Sequence, residues 1–391
     1  ITCRDWSSDV CSSDLTPNLL TFKKRYPNNF YQFSWAYTNS TTTFLSVPSI
    51  LNGISPTRKK TVWKDALFLW DYAKAIDFYT ILISGHCFKW SNWGEYILHS
   101  RNIDYIFTEC EYHDSTVTNT HNKTHHMGIP DDRIVVQKLI EKINVLKETN
   151  QNFCAILHLF GPHYPYWHLF ENRRFNSMTK FANYQNSILQ QDLALNSLFE
   201  FLENSKDLEK TLIIHTSDHG EAFGEKGYWG HMLNYYEPDI SIPIWLFIPS
   251  TILNDLGKAK RKNLVENQNK NICNLDLLPS IFDLLRGEED TQPSNLDGKS
   301  FFSSIEKNRP IYVSNYNNLG YKTLMKSYAV IIDSNKYIYH YDNKFLTVEC
   351  YNFKGDACEK SNLYKKESVS NPYLDFHLLQ SSPEEALVTP E

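Results

Sequence analysis

The chain has 391 residues, 21% of them charged, with 39 Lys and Arg against 45 Asp and Glu for a net charge of −6. That length supports one large α/β domain plus a smaller piece, and the weakly acidic balance gives no footprint for a nucleic-acid partner. No run of about 18 apolar residues is present, which excludes a membrane span within this sequence, and there is no secretory signal.

Residues 1–15, ITCRDWSSDVCSSDL, look like translated sequencing-adaptor read-through and are set aside as a non-native leader. The stretch from Tyr37 to Gly53 begins with a hydroxyl cluster, Ser40 to Thr43, and continues into an apolar segment closed by glycine. It reads as loop, helix N-terminus, helix and C-cap. Free N–H groups at such an N-terminus favour an anionic ester; taken alone, hydroxyls that merely cap the helix are the simpler reading.

Residues 62–84 read as a helix and then a strand. Residues 85–132 are polar and rich in histidine (His86, His113, His121, His125, His126) without regular ligand spacing, and receive no role. Asp132–Lys147 has helical periodicity, and Phe153–Phe160 is a core strand that runs into Gly161-Pro162-His163. Phe181–Asn204 reads as a long helix whose Ile188, Leu193 and Leu198 form a core stripe.

Leu212–Ile214 is a short buried strand ending in Asp218-His219-Gly220. In open α/β sheets chemistry collects just past the carboxyl ends of strands. A carboxylate beside an imidazole there suits Zn²⁺ or a similar ion; on spacing alone a capped turn is an equal reading, since two ligands hold no ion by themselves. Pro243–Pro249 is another buried strand, 252–272 a polar linker, and Leu275–Leu285 a helix. Three strand-like runs follow, Ile311–Asn315, Tyr328–Asp333 and Lys336–Tyr341, the last two joined by a Ser334-Asn335 turn. Among the eight cysteines, Cys350 with Cys358 and Cys87 with Cys110 are the pairings considered.

Ser217-Asp218-His219-Gly220-Glu221, followed by Gly224-Glu225 and His231, resembles the metal-binding signature of the alkaline-phosphatase superfamily, in its sulfatase-like and phosphoethanolamine-transferase branch. Four further phrases match in order: Thr16-Pro17-Asn18-Leu19, Thr43 three residues before Ser46-Val47-Pro48, Gly161-Pro162-His163-Tyr164-Pro165, and Tyr184-Gln185-Asn186-Ser187-Ile188 with Asp192. Leu275–Ile281 and the closing Asp356…Glu359…Asn362-Leu363 are similar to later family phrases. One departure is informative. Sulfatases with a formylglycine need Cys or Ser in a Cys/Ser-x-Pro-x-Arg context, and Ile50 stands where the Arg should be.

The resemblance implies an α/β fold, a three-layer αβα sandwich over residues 16–290, then a small antiparallel C-terminal subdomain at 291–365 and a tail at 366–391. It implies Thr43 as nucleophile and metal ligand, with Thr41 and Thr42 as weaker matches. Asp218 and His219 would be metal ligands, and His163 and His231 would bind the substrate. The implied cofactor is a divalent metal, Zn²⁺ first and Ca²⁺ or Mn²⁺ after it. The implied activity is transfer of phosphoethanolamine or a similar phosphoester group to a surface glycan through a phospho-threonine. The alternatives are a sulfatase or phosphodiesterase-type hydrolase, or a non-catalytic glycan- or partner-binding scaffold. Phosphoester or sulfate-ester substrates, a phospholipid donor and a glycan acceptor are the implied partners, at the extracytoplasmic face of a membrane to which the full-length protein is anchored. In relatives the Thr-Pro-Asn phrase follows a first core strand ending in an acidic ligand, so an upstream strand and its ligand are expected to be missing from this sequence.

Overall fold

Alternation along two strands sets the layers. The structure, a computed structural model, describes residues 14–58, 60–86, 97, 102–108, 131–166, 173–286, 295–315, 327–342 and 345–364. Helix α1 (Pro17–Arg25), strands β1 (Phe30–Gln32) and β2 (Trp35–Tyr37) and helix α2 (Thr43–Asn52) open the chain. Helices α3 (Lys60–Lys64) and α4 (Leu69–Lys74) lead to β3 (Tyr79–Ser84), β4 (Tyr105–Phe107), α5 (Asp132–Glu148) and β5 (Phe153–His158). The long helix α6 (Lys180–Asn204) precedes β6 (Ile213–Thr216), the ribbon β7 (Ala222–Phe223) and β8 (Trp229–Gly230), α7 (Glu237–Ile240) and β9 (Ile244–Phe247). Helices α8 (Ser250–Asp255) and α9 (Lys258–Asn267), strand β10 (Asn271–Cys273) and helix α10 (Leu277–Arg286) complete the larger unit. Strands β11 (Ile311–Ser314), β12 (Ser327–Ile332), β13 (Asn335–Asp342) and β14 (Phe345–Asn352) form a separate antiparallel sheet in sequential order.

Strand side chains point alternately to opposite faces. Ile81 and Ile83 of β3, with Trp245 and Phe247 of β9, pack beneath α1, α5 and α6 through Phe22, Val135, Leu139, Ile143, Leu198 and Phe199. Leu82 faces the other way, onto Leu51 and Trp70 of α2 and α4. Ile244 and Leu246 do the same, onto Leu253, Leu264 and Leu277 of α8, α9 and α10. The result is the three-layer αβα sandwich with a small antiparallel C-terminal sheet. Caps fix the helix starts on one face: Asp131 accepts from the Arg133 amide and Thr179 from the Ala182 amide.

The sheet lies in two halves. β3 pairs in parallel with β4 and β5, while β9 pairs antiparallel with β1 and β6. Among the described residues β5 and β6 are not paired with each other. A cavity of about 930 Å³ lies along both, lined by residues such as Leu157, Leu198, Phe199, Ile214, Leu278 and Ile281, and it reaches Thr43, Asp218 and His219. Close-packed interiors hold few voids larger than a water molecule, so the core is incompletely filled between these two strands.

Several expectations need correction. Leu193 is 42% exposed, because five residues turn a helix well past the face of Ile188; the buried stripe instead runs through Ala194, Leu198, Phe199 and Leu202. The polar stretch 252–272 is no linker: it folds into α8, α9 and the start of β10, anchored by buried Leu253 and Leu264. The C-terminal sheet has four strands, since polar-alternating β14 pairs with β13. Its first hairpin turns at Asp333-Ser334, one residue earlier than expected, as the pair Ile332–Asn335 closes it and Asp333 takes a left-handed φ of 51°. Cys350 and Cys358 are free thiols. The segment returning past Cys350 docks Asn362 on its amide and Leu363 on its carbonyl, so Cys358 is not the residue brought alongside. Cys87 and Cys110 lie outside the described residues, as does the leader up to residue 13; Leu15 is buried and Asp14 pairs with Arg174.

The small sheet is clamped to the sandwich by a buried cation. Lys336 of β13, with no exposed surface, lies 3.2 Å from Glu237 of α7 and also pairs with Glu359, whose carboxylate accepts from the Glu237 amide. Burial works against the Lys336 charge, but the two carboxylates outweigh it and raise its pKa. Removing one member of a buried ion pair leaves the others unpaired. Lys336→Met is therefore expected to destabilise the protein by about 3–5 kcal/mol in urea denaturation, whereas exposed Lys262→Met should change little.

Candidate active site

The strand end of β6 supplies the centre. After Thr216 the chain turns through Ser217, Asp218, His219 and Gly220, and this turn is held from below. The Asp218 carbonyl accepts hydrogen bonds from the Thr38 hydroxyl at 2.5 Å and the Ser46 hydroxyl at 2.7 Å. Asn274, fully buried, donates to both of those hydroxyl oxygens at 3.2 and 3.0 Å. Gly220 is required here, because a Cβ would fall 2.0 Å from the Pro238 carbonyl oxygen. Thr38 lies in the loop entering α2 and Ser46 in its first turn, so the β6 turn and the helix head are fastened to each other.

Thr43 is the first residue of α2. Its Oγ1 lies 3.1 Å from His219 Nε2 and also within reach of the Asp218 carboxylate, two acceptors that compete for its one hydroxyl hydrogen. Thr42 makes no side-chain capping bond, so the hydroxyl cluster does not serve as a simple cap. His219 Nε2 is 3.4 Å from Asp218 Oδ2. His219 Nδ1 faces the Gly220 carbonyl at 2.8 Å. A carbonyl only accepts, so Nδ1 carries the proton and the neutral ring presents a bare Nε2 to Thr43 and Asp218. Burial lowers the His219 pKa despite the raising influence of Asp218, which keeps that lone pair free. Burial pushes the Asp218 carboxyl up, but His219, His158 and the bond from Thr43 outweigh it and hold it below the ordinary range.

His231 stacks near His219 with ring centroids 4.0 Å apart, and its Nδ1 is 3.3 Å from both Glu221 oxygens. His163 comes from the loop after β5. Its Nδ1 donates to the Tyr164 carbonyl at 2.5 Å, and burial lowers its pKa. That loop is shaped by Asp132, which accepts from the amides of Phe160 and Gly161 at 2.8 and 2.9 Å. A Cβ on Gly161 would come within 2.7 Å of the Asp132 carboxylate, so the close approach needs glycine. Burial raises the Asp132 pKa to about 6 against those two amide bonds.

Thus Thr43, Asp218, His219 and His231 meet in direct contacts, and His163 lies close enough to His231 and Asp218 for their charges to influence it. Two further histidines join that were not anticipated. His158, the last residue of β5, hydrogen-bonds Ser84 at 3.0 Å and lies close to Asp218. His86 stacks on it at 4.3 Å and meets His163 edge-on at 5.0 Å. A polar residue closing an apolar strand was the available signal for His158; His86 gave none, being one of several histidines in an irregular stretch. His113, His121, His125 and His126 lie outside the described residues.

The donor set fits a divalent cation. Ligand atoms about 2.0–2.2 Å from a tetrahedral zinc lie roughly 3.3–3.6 Å from one another. The separations between His219 Nε2 and both Asp218 Oδ2 and Thr43 Oγ1, 3.4 and 3.1 Å, are close to that spacing. Among the described residues no set of three His, Cys, Asp or Glu side chains is arranged to hold an ion; the Thr43 oxygen is the further donor beside Asp218 and His219.

The sandwich has the fold of a solved protein of the alkaline-phosphatase superfamily from Vibrio parahaemolyticus, with a TM-score of 0.65 at 16% identity, covering 95% of this chain and 82% of that one. A family model described as Sulfatase matches residues 5–287, and the chain belongs to that family. Relatives of both chemical kinds are found. Choline-sulfatase of Rhizobium meliloti is 28% identical over 173 residues, 43% of this chain and 30% of its own length. Phosphoethanolamine transferase EptA of Helicobacter pylori is 31% identical over 104 residues, 22% of this chain and 20% of its own length. The curated relatives are matched over only 20% to 32% of their lengths. The C-terminal periplasmic domain of EptC from Escherichia coli, solved in complex with Zn, superposes with a TM-score of 0.62 at 17% identity, covering 85% of this chain and 89% of that one.

The buried imidazoles predict a pH dependence. Burial pulls His158 and His215 down to about 4. Unfolded histidine protonates near 6.5, roughly, so between about 6.5 and about 4 the unfolded chain takes up protons that the folded chain refuses. Their contribution is complete above that window and is lost as pH falls through it, by at most about 3 kcal/mol per residue, less wherever cleft water reaches the rings. Urea midpoints should fall from pH 7 to pH 4.5. His215→Phe, which keeps the 5.0 Å stack on Trp245 and removes an unpartnered Nδ1, should flatten part of that fall, the remainder coming from His158 and the other buried histidines.

Proposed function

We propose that this protein catalyses phosphoryl-group transfer, with Thr43 as nucleophile and phosphoethanolamine or a similar phosphoester group as the cargo. The observation carrying this reading is the Thr43 hydroxyl at the head of α2, 3.1 Å from His219 Nε2 and bonded to Asp218. A serine or cysteine awaiting conversion to formylglycine is not what occupies this position, which favours the threonine chemistry over that of the sulfatases.

Asp218, His219 and Thr43 would hold the cation. When bound, it would lower the pKa of the Thr43 hydroxyl and polarise the ester. We place the acidic strand implied by the resemblance in the cleft between β5 and β6, whose upper end reaches these residues. The free amides and positive end of α2 face an incoming anionic group. The Thr43 oxygen forms a bond to phosphorus as the bond to the leaving oxygen breaks, and its proton passes to solvent. His163 and His231 line the path of the transferred group, and His231, whose Nδ1 is held by Glu221, is the one placed to bind a non-bridging oxygen and protonate the leaving oxygen. Glu221 fixes the orientation of His231 for that task. Water or a sugar hydroxyl then attacks the phospho-threonine, restoring Thr43 and releasing a phosphate ester or a phosphorylated glycan. The donor in this reading is a phospholipid and the location extracytoplasmic, as for the periplasmic EptC domain; among the described residues no helix is long and apolar enough to cross a membrane.

Thr43→Ala should reduce phosphoester turnover by at least about 10³-fold and, because it removes one of the three donors proposed for the cation, lower zinc content measured by elemental analysis. Mass spectrometry of the wild type quenched during turnover should find phosphate or phosphoethanolamine on the peptide containing Thr43. Release of sulfate from an aryl sulfate with Thr43 unmodified would overturn the transferase reading in favour of a hydrolase.

A further inference from the structure

The small C-terminal sheet reaches into the site through one side chain. Asn315, immediately after β11 and 4% exposed, uses both ends of its amide. Its Oδ1 accepts from the Ser40 hydroxyl at 2.8 Å and the Thr41 amide at 3.0 Å. Its Nδ2 donates to the Thr41 hydroxyl at 2.8 Å and to the Met232 carbonyl at 3.0 Å. Its own backbone is pinned: its amide donates to the Tyr235 hydroxyl at 3.0 Å, and the preceding Ser314 amide to the Asn39 carbonyl at 3.0 Å.

The two segments it joins are the loop delivering Thr43 and the turn immediately after His231. Met232 has a φ of 79°, a left-handed conformation that an unbranched non-glycine residue adopts only when held. The bond from Asn315 to the Met232 carbonyl is such a hold. Ser40 also contacts the Thr42 hydroxyl at 3.0 Å, so the other arm of the amide ends one residue short of Thr43. A side chain with one donor end and one acceptor end, buried between these two loops, fixes their separation. Every polar atom of the amide has a partner, and an isosteric acid would supply only half of the set.

We propose that Asn315 is a positioning residue that sets His231 against Thr43 by holding the left-handed turn at Met232, making the C-terminal sheet part of the active-site framework. This rests on His231 serving the transferred group, as proposed above. The isosteric Asn315→Asp keeps the acceptor toward Ser40 and Thr41 and turns an oxygen toward the Met232 carbonyl. Glycine tolerates positive φ at no steric cost, so adding Met232→Gly should relieve the need for the hold.

Two readouts separate this inference from the reading it rests on. In ¹⁵N-histidine NMR, with His231 assigned through His231→Gln, Asn315→Asp should shift or broaden the His231 imidazole signals. The double variant Asn315→Asp with Met232→Gly should bring the His231 signals back toward wild type. In phosphoester turnover, kcat should fall by up to about 10²-fold with little change in KM, and recover at least partly in the double variant. His231 signals that do not respond to Asn315→Asp, or a response that Met232→Gly does not reverse, would overturn the inference. Should the wild type lack phosphoester turnover while the NMR pattern appears as described, the activity reading fails and the positioning role stands. Asn315→Ser, smaller and able to accept from Ser40, supplies the same NMR comparison if the aspartate variant does not fold.

Discussion

The Asp218 carbonyl, gripped by two hydroxyls, is the joint on which the site depends. Thr38 and Ser46 lie on either side of the Thr43 loop, and both donate to an oxygen some 170 to 180 residues further along the chain. A backbone acceptor cannot rotate away as a side chain can, so the head of α2 is registered against the end of β6 by atoms of fixed geometry. Asn274 occupies the space behind the hydroxyls and directs them. The Thr43 oxygen meets His219 Nε2 and the Asp218 carboxylate as a consequence of this joint.

Much of the sandwich was legible in the sequence because its strands are short and almost wholly apolar, and its longer helices carry clear caps. β3, β5, β9 and α2 fall within the expected segments, α5 and α6 overrun theirs by one residue, and β6 runs two residues past the expected Ile214. β14 escaped notice despite its eight residues; the other strands missed are β7 and β8, two residues each, and β1, β2, β4 and β10, three each. Three residues give no period to detect, and their extended form is imposed by a neighbour already in place. The proximity of Thr43 to Asp218 and His219 was legible only through the ordered motifs, since no local pattern reports a contact across some 175 residues. Asn274 and Asn315 left no mark at all. A buried amide that satisfies two loops looks in sequence like any loop asparagine.

Several motif residues prove to have architectural partners. Asp192, in the long-helix phrase, accepts from the amides of Asn18 and Leu19 and so caps α1 from α6. Asp276 binds Arg309 through two bonds at 2.9 and 2.7 Å while also accepting the Cys273 and Lys299 amides. Glu359 sits against Lys336 and the start of α7. Each of these carboxylates ties an element late in the chain to an earlier one, so the motifs encode assembly as well as chemistry.

The charge of the site bears on what it can bind. Asp218 and Glu221 contribute two carboxylates, while His86, His158, His163 and His219 are driven toward their neutral forms by burial. No arginine or lysine is among the groups that most influence Asp218. An anionic ester approaching this arrangement would meet net negative charge, relieved only by the positive end of α2, an effect of about half an elementary charge. Neutral imidazoles with bare nitrogens and a depressed carboxylate are instead the electronic state that receives a cation. On the proposed reading, such a site would bind an anionic ester well only after accepting a cation, which would couple metal and substrate affinity through Asp218, His219 and Thr43.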